Sequence, residues 1–329
     1  MPDKFGKVEV IPSHGDDLTR RVSEALQNCG ALEGVGADTR LAVKPNFTYP
    51  FYKAGVTTSP RVLRAVAGAL REYTPHITIV ESDGASRAWT AEQAFAGHEA
   101  PAICAELGIK STGLTALERR KATASVAGRE VEMELPRMLL DETDFLVTVP
   151  VPKVHANTGV SLGFKNQWGC IPDIKRVKHH ADLPHKVLAV NKLIRAKVAV
   201  FDGTNFLNRS GPMDGDPVAM DLVIAGPTGA ATRVCCEIMQ IDPRGVAHLK
   251  LAMRDGLMPS DMASVEVNVD IARIARKFYL KRTPLDWVSY AIFQSAVVSR
   301  ICYDSAASKF LHDVLYALKG RPKDFHPEW

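Results

Sequence analysis

The stretch 153–185 gathers Lys153, His155, Lys165, Asn166, Trp168, Arg176, His179, His180 and His185 between glycines, and it holds four of the ten histidines in the chain. Imidazole, amine, amide and indole groups at this density suit proton transfer, metal ligation or the holding of an anion. His155 follows an apolar run and the Pro150–Pro152 punctuation, so its ring is expected to project from a strand end as a general acid or base. The plain alternative is a core histidine. Lys165 follows Leu162-Gly163-Phe164, where burial lowers an amine's pKa and opens base, Schiff-base or anion-binding roles. An exposed loop lysine is its alternative. Asn166 offers N–H groups to a developing oxyanion, Trp168 a wall, and one of the doublet His179–His180 is expected to face the site. We assign chemistry to His155, Lys165 and His180. Substrate binding falls to Lys44, Asn46, Asp83, Lys153, Asn166, Trp168, Arg176, His179 and Asp202.

Charge narrows the ligand. Lysine and arginine exceed aspartate and glutamate by 41 − 37 = +4 over 329 residues, too little and too dispersed for nucleic acid. The excess is local: Lys175, Arg176, Lys178, Lys186, Lys192, Arg195 and Lys197 crowd around Asp173 and Asp182. That pattern fits a small anionic metabolite or a solvated helix face. His155, His179, His180, His185 and Asp202 are numerous enough to bind a divalent metal, yet no HxH or HExxH spacing occurs and no metal ligands are assigned. Neither GxGxxG nor GxxxxGK[ST] is present, so no nucleotide fingerprint is either. Six scattered cysteines form no CxxC pair, and no iron–sulfur cluster is expected. The first residues lack a secretory signal, and no segment reaches the roughly 18 apolar residues of a bilayer span. A cytoplasmic protein without a membrane partner is the expectation.

The elements that must position these groups are short β-branched runs alternating with helical patterns, the signature of an α/β fold with a mainly parallel sheet covered by helices. Strands are expected at 7–11, 41–43, 77–81, 145–149, 198–202 and 222–225, and helices at 16–28, 59–72, 90–98, 183–194 and 229–239. Ser59-Pro60 is a helix start, with serine as cap and proline in the first turn. Polar clusters follow the strand ends at Lys44-Pro45-Asn46, Ser82-Asp83-Gly84, Pro152-Lys153-Val154-His155 and Asp202-Gly203, where open α/β sheets bind ligands. Residues 1–264 are expected to form the catalytic domain, with a hairpin insertion at 111–131; two coupled lobes are the other organisation the length allows. Residues 265–329 are expected to be a strand and a helical tail. There Trp287, Tyr290, Ile292, Phe293, Val297, Ile301 and Leu311 would pack on the core or on a second copy in a homodimer.

The blocks Lys44-Pro45-Asn46, Gly55-Val56-Thr57-Thr58-Ser59-Pro60, Ser82-Asp83-Gly84, Lys153-Val154-His155, Gly159-Val160-Ser161, Lys165-Asn166-Gln167-Trp168-Gly169, Asp202-Gly203 and Gly211-Pro212 resemble the family called domain of unknown function 362. The resemblance runs over about 41–243. Many members carry a ferredoxin-like iron–sulfur module whose cysteines this chain lacks. It also departs at Ala225-Gly226-Pro227-Thr228 and Arg233, where members usually have two aspartates; a cation role there does not carry over, and Arg233 could receive an anion instead. The order His155, Gly159, Lys165, Gly169 and His179 or His180 is similar, more weakly, to that of the nickel-pincer lactate racemase family. This implies a like site geometry more than a like cofactor. A divalent metal or a nickel-pincer-type cofactor stays open, and no cofactor is assigned. The expected function is an isomerase or lyase moving a proton on a small, carboxylate-bearing anion; a cofactor-dependent redox enzyme and a non-catalytic anion-binding protein are the alternatives.

Overall fold

Strand β1 (Lys7–Pro12) is followed by β2 (Leu41–Pro45), β3 (Ile77–Glu81), β4 (Lys110–Gly113), β5 (Arg119–Val126) and β6 (Arg129–Pro136) in a computed structural model that describes residues 5–319. Then come β7 (Phe145–Val149), β8 (Lys153–His155), β9 (Gly159–Ser161), β10 (Ala196–Asn208), β11 (Asp216–Pro227) and β12 (Glu266–Val267). Ten of them form one sheet in the order β12-β1-β11-β10-β7-β2-β3-β4, with β8 paired to β10 and β9 to β8. The run from β10 to β4 is parallel throughout, whereas β11 is antiparallel to both β1 and β10. The sheet is therefore mixed and mainly parallel.

Alternation along the strands divides the core. Leu41, Val43, Ile79, Val147 and Val200 share one apolar cluster with the helices Leu18–Asn28, Pro60–Arg71 and Ala100–Leu107. The intervening Ala42, Val80, Leu146, Ala199 and Phe201 face the opposite cluster, with Leu183–Leu193, Thr228–Ile238 and Ala247–Arg254. Strands buried on both faces favour apolar residues on either side, which is why β2, β3 and β7 read as mainly hydrophobic runs broken only by Lys44, Thr78, Glu81 and Thr148. The helix at Pro60–Arg71 begins as its sequence dictates: the Ser59 side chain accepts the Val62 N–H at 3.2 Å, and proline occupies the first turn.

Three expectations shift. The hairpin is β5–β6, at 119–136, not 111–131, because Lys110–Gly113 joins the main sheet as an edge strand and the alternating pattern starts only at Arg119. The strand expected in 198–202 runs on to Asn208 across a register shift after Gly203. The strand at the head of the tail is reduced to β12, which pairs with β1. Helices Pro284–Gln294 and Ala296–Asp304 then lie over the 3-10 turn Arg176–His180, fixed by Lys175 Nζ on Asp304 at 2.9 Å and by Phe293 edge-on to His180 at 4.5 Å. Phe293 is buried there, whereas Trp287, Val297, Ile301 and Leu311 are exposed. Among the described residues no helix is long and apolar enough to cross a membrane.

Candidate active site

Parallel pairing of β2 with β3 sets their carboxyl ends side by side, and each carries a charge there, Lys44 just before Pro45 in β2 and Glu81 as the last residue of β3. Lys44 Nζ lies 2.6 Å from Glu81 Oε2 and donates to the Pro45 carbonyl at 2.7 Å. Glu81 also accepts from the backbone N–H groups of Phe47 (3.2 Å) and Ser82 (3.0 Å). A buried ion pair needs such supplementary bonds to offset desolvation. Gly169 closes over it: a Cβ at that position would sit 2.8 Å from Glu81 Oε1 and 2.9 Å from Lys44 Nζ, so any larger residue would push the pair out of this geometry.

Beyond β7 the chain turns into β8, where a two-residue period puts Lys153 and His155 on one face. Both are buried. Lys153 Nζ donates to the Val56 carbonyl at 2.6 Å. Burial, with Lys165 and Lys44 adding repulsion, pushes its amine well below the ordinary lysine range. The short helix Gly163–Asn166 carries Lys165 to the same point, with Nζ 3.3 Å from His155 Nε2. His155 Nδ1 accepts the Asn157 backbone N–H at 3.1 Å, which leaves the proton of the neutral ring on Nε2, facing the amine. Burial, then the nearby amines of Lys165 and Lys153, hold His155 well below its usual pKa. Burial, with Arg176 behind it, brings Lys165 down to about 8.

The turn Arg176–His180 and the preceding Trp168 close the opposite wall. Arg176 Nη2 donates to the Asp83 carbonyl at 2.8 Å, and Nη1 is buried without a partner. Trp168 Nε1, Ser82 Oγ and His180 Nδ1 are likewise buried and unpartnered. His180 stacks on Trp168 at 5.9 Å; burial and the nearby cations push its pKa down to about 3, so its ring is neutral. All four of these residues, with Lys44, Asn46, Lys153, His155, Lys165 and Asn166, line one cleft of about 240 Å³. Of the described residues lining it, four are lysine or arginine and Glu81 alone is acidic.

Not every residue expected at the site serves it. Asn166 borders the cleft, but its amide N–H groups go to the Lys44 carbonyl (2.9 Å) and the Thr148 hydroxyl (2.8 Å), so it braces strands instead of donating to substrate. Asp83 points away: its carboxylate takes the Ala91 N–H at 2.9 Å and Arg87 Nε at 3.2 Å. His179 turns outward to Asp173 at 3.0 Å, which leaves His180 as the inward member of the doublet. Asp202 accepts the Ser59 N–H at 2.7 Å and the Thr204 N–H at 3.1 Å, because β10 continues past it and no strand end is there. Asn46 keeps its place on the wall while its Oδ1 accepts the Thr48 N–H at 3.3 Å. Arg233 pairs with Glu237 on its own helix and receives nothing from the cleft. Cys170 is buried, which pushes its thiol up to about 12 and leaves it inert. Glu81, Ser82 and Phe293 also line the cleft; Ser82 was expected only as part of a strand-end cluster, Phe293 only as a packing residue, and Glu81 was given no site role at all. Glu81 carried the same signal as Lys44, a charge ending an apolar run; Phe293 carried none. Among the described residues no group of three or more His, Cys, Asp or Glu side chains is placed to hold a metal ion.

The family model described as "Domain of unknown function (DUF362)" matches residues 41–236. A thylakoid-associated protein of Synechocystis is 28% identical over 127 residues, which cover 36% of this chain and 40% of that relative; the match thus spans about two fifths of the relative's length. The lactate racemase apoprotein of Thermoanaerobacterium thermosaccharolyticum aligns with a TM-score of 0.45 at 13% identity, over 74% of this chain and 59% of that one. A Thermotoga maritima protein aligns at 0.39 and 13%, over 68% and 59%.

Proposed function

The chain belongs to the domain of unknown function 362 family, and from its cleft we propose that it is an enzyme that moves a proton on a carbon beside the carboxylate or carbonyl of a small anionic metabolite. One observation carries this reading: Lys165 Nζ faces His155 Nε2 at 3.3 Å in a cleft whose cations outnumber its one carboxylate, itself taken by Lys44. A depressed lysine pKa near the working pH is what a base needs. In the proposed step the Lys165 lone pair takes the carbon-bound proton and becomes an ammonium. The C–H electron pair moves to the substrate oxygen as an enolate, and the ammonium returns the proton for isomerisation or a leaving group departs for elimination. The His155 Nε2–H positions the amine between turnovers; as that lone pair turns to the carbon, the Nε2–H is released to donate to the enolate oxygen. Arg176 Nη1 and Trp168 Nε1–H, buried donors without partners, are suited to the substrate's oxygens.

An anion in the cleft also relieves the mutual repulsion of Lys153, Lys165 and Arg176, so binding is accompanied by proton uptake. A metal-bearing or organic cofactor, the second reading, would have to use the same amine and the free imidazole nitrogen of His180. The deciding experiment follows wash-in of deuterium from D2O into a panel of 2-hydroxy and 2-keto carboxylates by NMR, with the protein as purified. At least one carboxylate should exchange, and Lys165→Met should abolish it. Tight binding with no exchange in any compound would leave a non-catalytic anion-binding protein.

A further inference from the structure

A second cavity of about 250 Å³ lies behind the cleft, and Asn157, His180 and Phe293 line both. The two spaces thus adjoin along these three residues, with the His180–Phe293 ring contact on their shared border. One side of the rear chamber comes from the core, through Leu183, Val246 and His248. The other comes from the C-terminal segment, through Arg282, Tyr290 and Phe293, all beyond the residues that the family model matches.

Its polar groups are prepared for a partner. His248 is 3% exposed, and its Nε2 makes no hydrogen bond. Burial, with Lys165 contributing, pushes its pKa down to about 3, so the ring is neutral. Arg282 is held in place by Nε on the Ala156 carbonyl at 2.7 Å and by stacking over Trp287 (4.8 Å) and Tyr290 (5.1 Å). Among the described residues it makes no other hydrogen bond, which leaves the ends of its guanidinium available. Among the described residues the one carboxylate on the wall is Asp182, which is paired with Arg129 at 2.8 Å and lies 2.6 Å from His185 Nδ1. Val246, Leu183 and Phe293 supply apolar surface along the way. A cation with free N–H groups at one end and apolar walls leading to it suit a chain that ends in a second acceptor.

We propose that this chamber binds the non-reacting arm of the substrate, an apolar arm that ends in a second carboxylate, so that the substrate is a dicarboxylate whose other end lies against Lys165 and Arg176. The inference rests on the carboxylate reading of the adjoining cleft. The test measures binding of the C4 to C8 α,ω-dicarboxylates and of the monocarboxylates of equal length by calorimetry, on the full chain. At least one dicarboxylate should bind about tenfold or more tighter than its matched monocarboxylate. Arg282→Gln should remove that preference and leave monocarboxylate affinity unchanged. Ala247→Phe, at an exposed position on the chamber wall, does the same without touching the stacked arginine, and so covers the case in which Arg282→Gln fails to fold. Equal affinities for both series, no binding of any dicarboxylate, or a preference that survives both variants would overturn the proposal. Lys165→Met separates the two readings: it should weaken both series alike, and if it weakens neither while the dicarboxylate preference persists, the cleft reading fails and the chamber stands.

Discussion

Two groups of cations in this molecule look alike in charge and behave differently. On the surface that follows the cleft, Lys178 pairs with Asp173 at 2.9 Å, Lys192 with Asp255 at 2.6 Å, and Lys175 with Asp304 at 2.9 Å. Arg195 and Lys186 are satisfied by backbone carbonyls. Inside the cleft, Lys153, Lys165 and Arg176 form no ion pair with any described residue, since Glu81 belongs to Lys44. The surface group stabilises local structure at modest strength, because solvent screens each pair. The cleft group is held at a cost that a bound anion would relieve. Density of positive charge along a chain thus says little; what sets the cleft group apart is the lack of a paired carboxylate among the described residues.

The comparison can be broken most severely at Glu81. Glu81→Gln leaves Lys44 buried with half its partner gone, and stability measured by denaturant unfolding should fall by about 3–5 kcal/mol. A loss no larger than that of a surface pair would make the Lys44–Glu81 pair ordinary. Next comes His155→Gln, which should lower turnover, or deuterium wash-in, by about 10²-fold or more while circular dichroism stays native. Unaltered turnover removes His155 from the mechanism.

Lys165→Met should weaken carboxylate binding by roughly 10- to 150-fold, whereas Lys192→Met should change it by less than about twofold. Equal effects would mean that the cations act as a diffuse field. The same variant sharpens the contrast through pH. Lys165 has a folded pKa of about 8 against 10.5 for a free lysine, so its charge destabilises the fold fully below 8, and the penalty disappears as pH rises from 8 to 10.5. Lys165→Met should therefore be more stable than the parent at pH 7, with the advantage shrinking over that window. A pH-independent difference would show that the ammonium carries no such penalty.

Much of this was legible in the chain. The strands 77–81 and 145–149 coincide with β3 and β7, because strands buried on both faces are rich in β-branched and apolar residues on either side. His155, Lys165 and His180 meet in the cleft because strand ends and glycine turns mark where side chains can leave the sheet. Asp202 and Asp83 obeyed the same rule and were misassigned, since a carboxylate after a strand serves equally well to cap a helix or tie a loop. Which of the two happens depends on the neighbour, not on the residue.

Sequence by itself determined the alternation of strands and helices, the family, and the set of groups from which a site could be built, because periodicity, capping and glycine placement act over a few residues. Only the tertiary structure decided that β2 and β3 lie side by side and so join Lys44 to Glu81, that His180 turns in while His179 turns out, and that Phe293, far along the chain, closes the wall. These are matters of pairing and packing between distant segments, and the burial that shifts a pKa or strands a charge exists only once those segments have met.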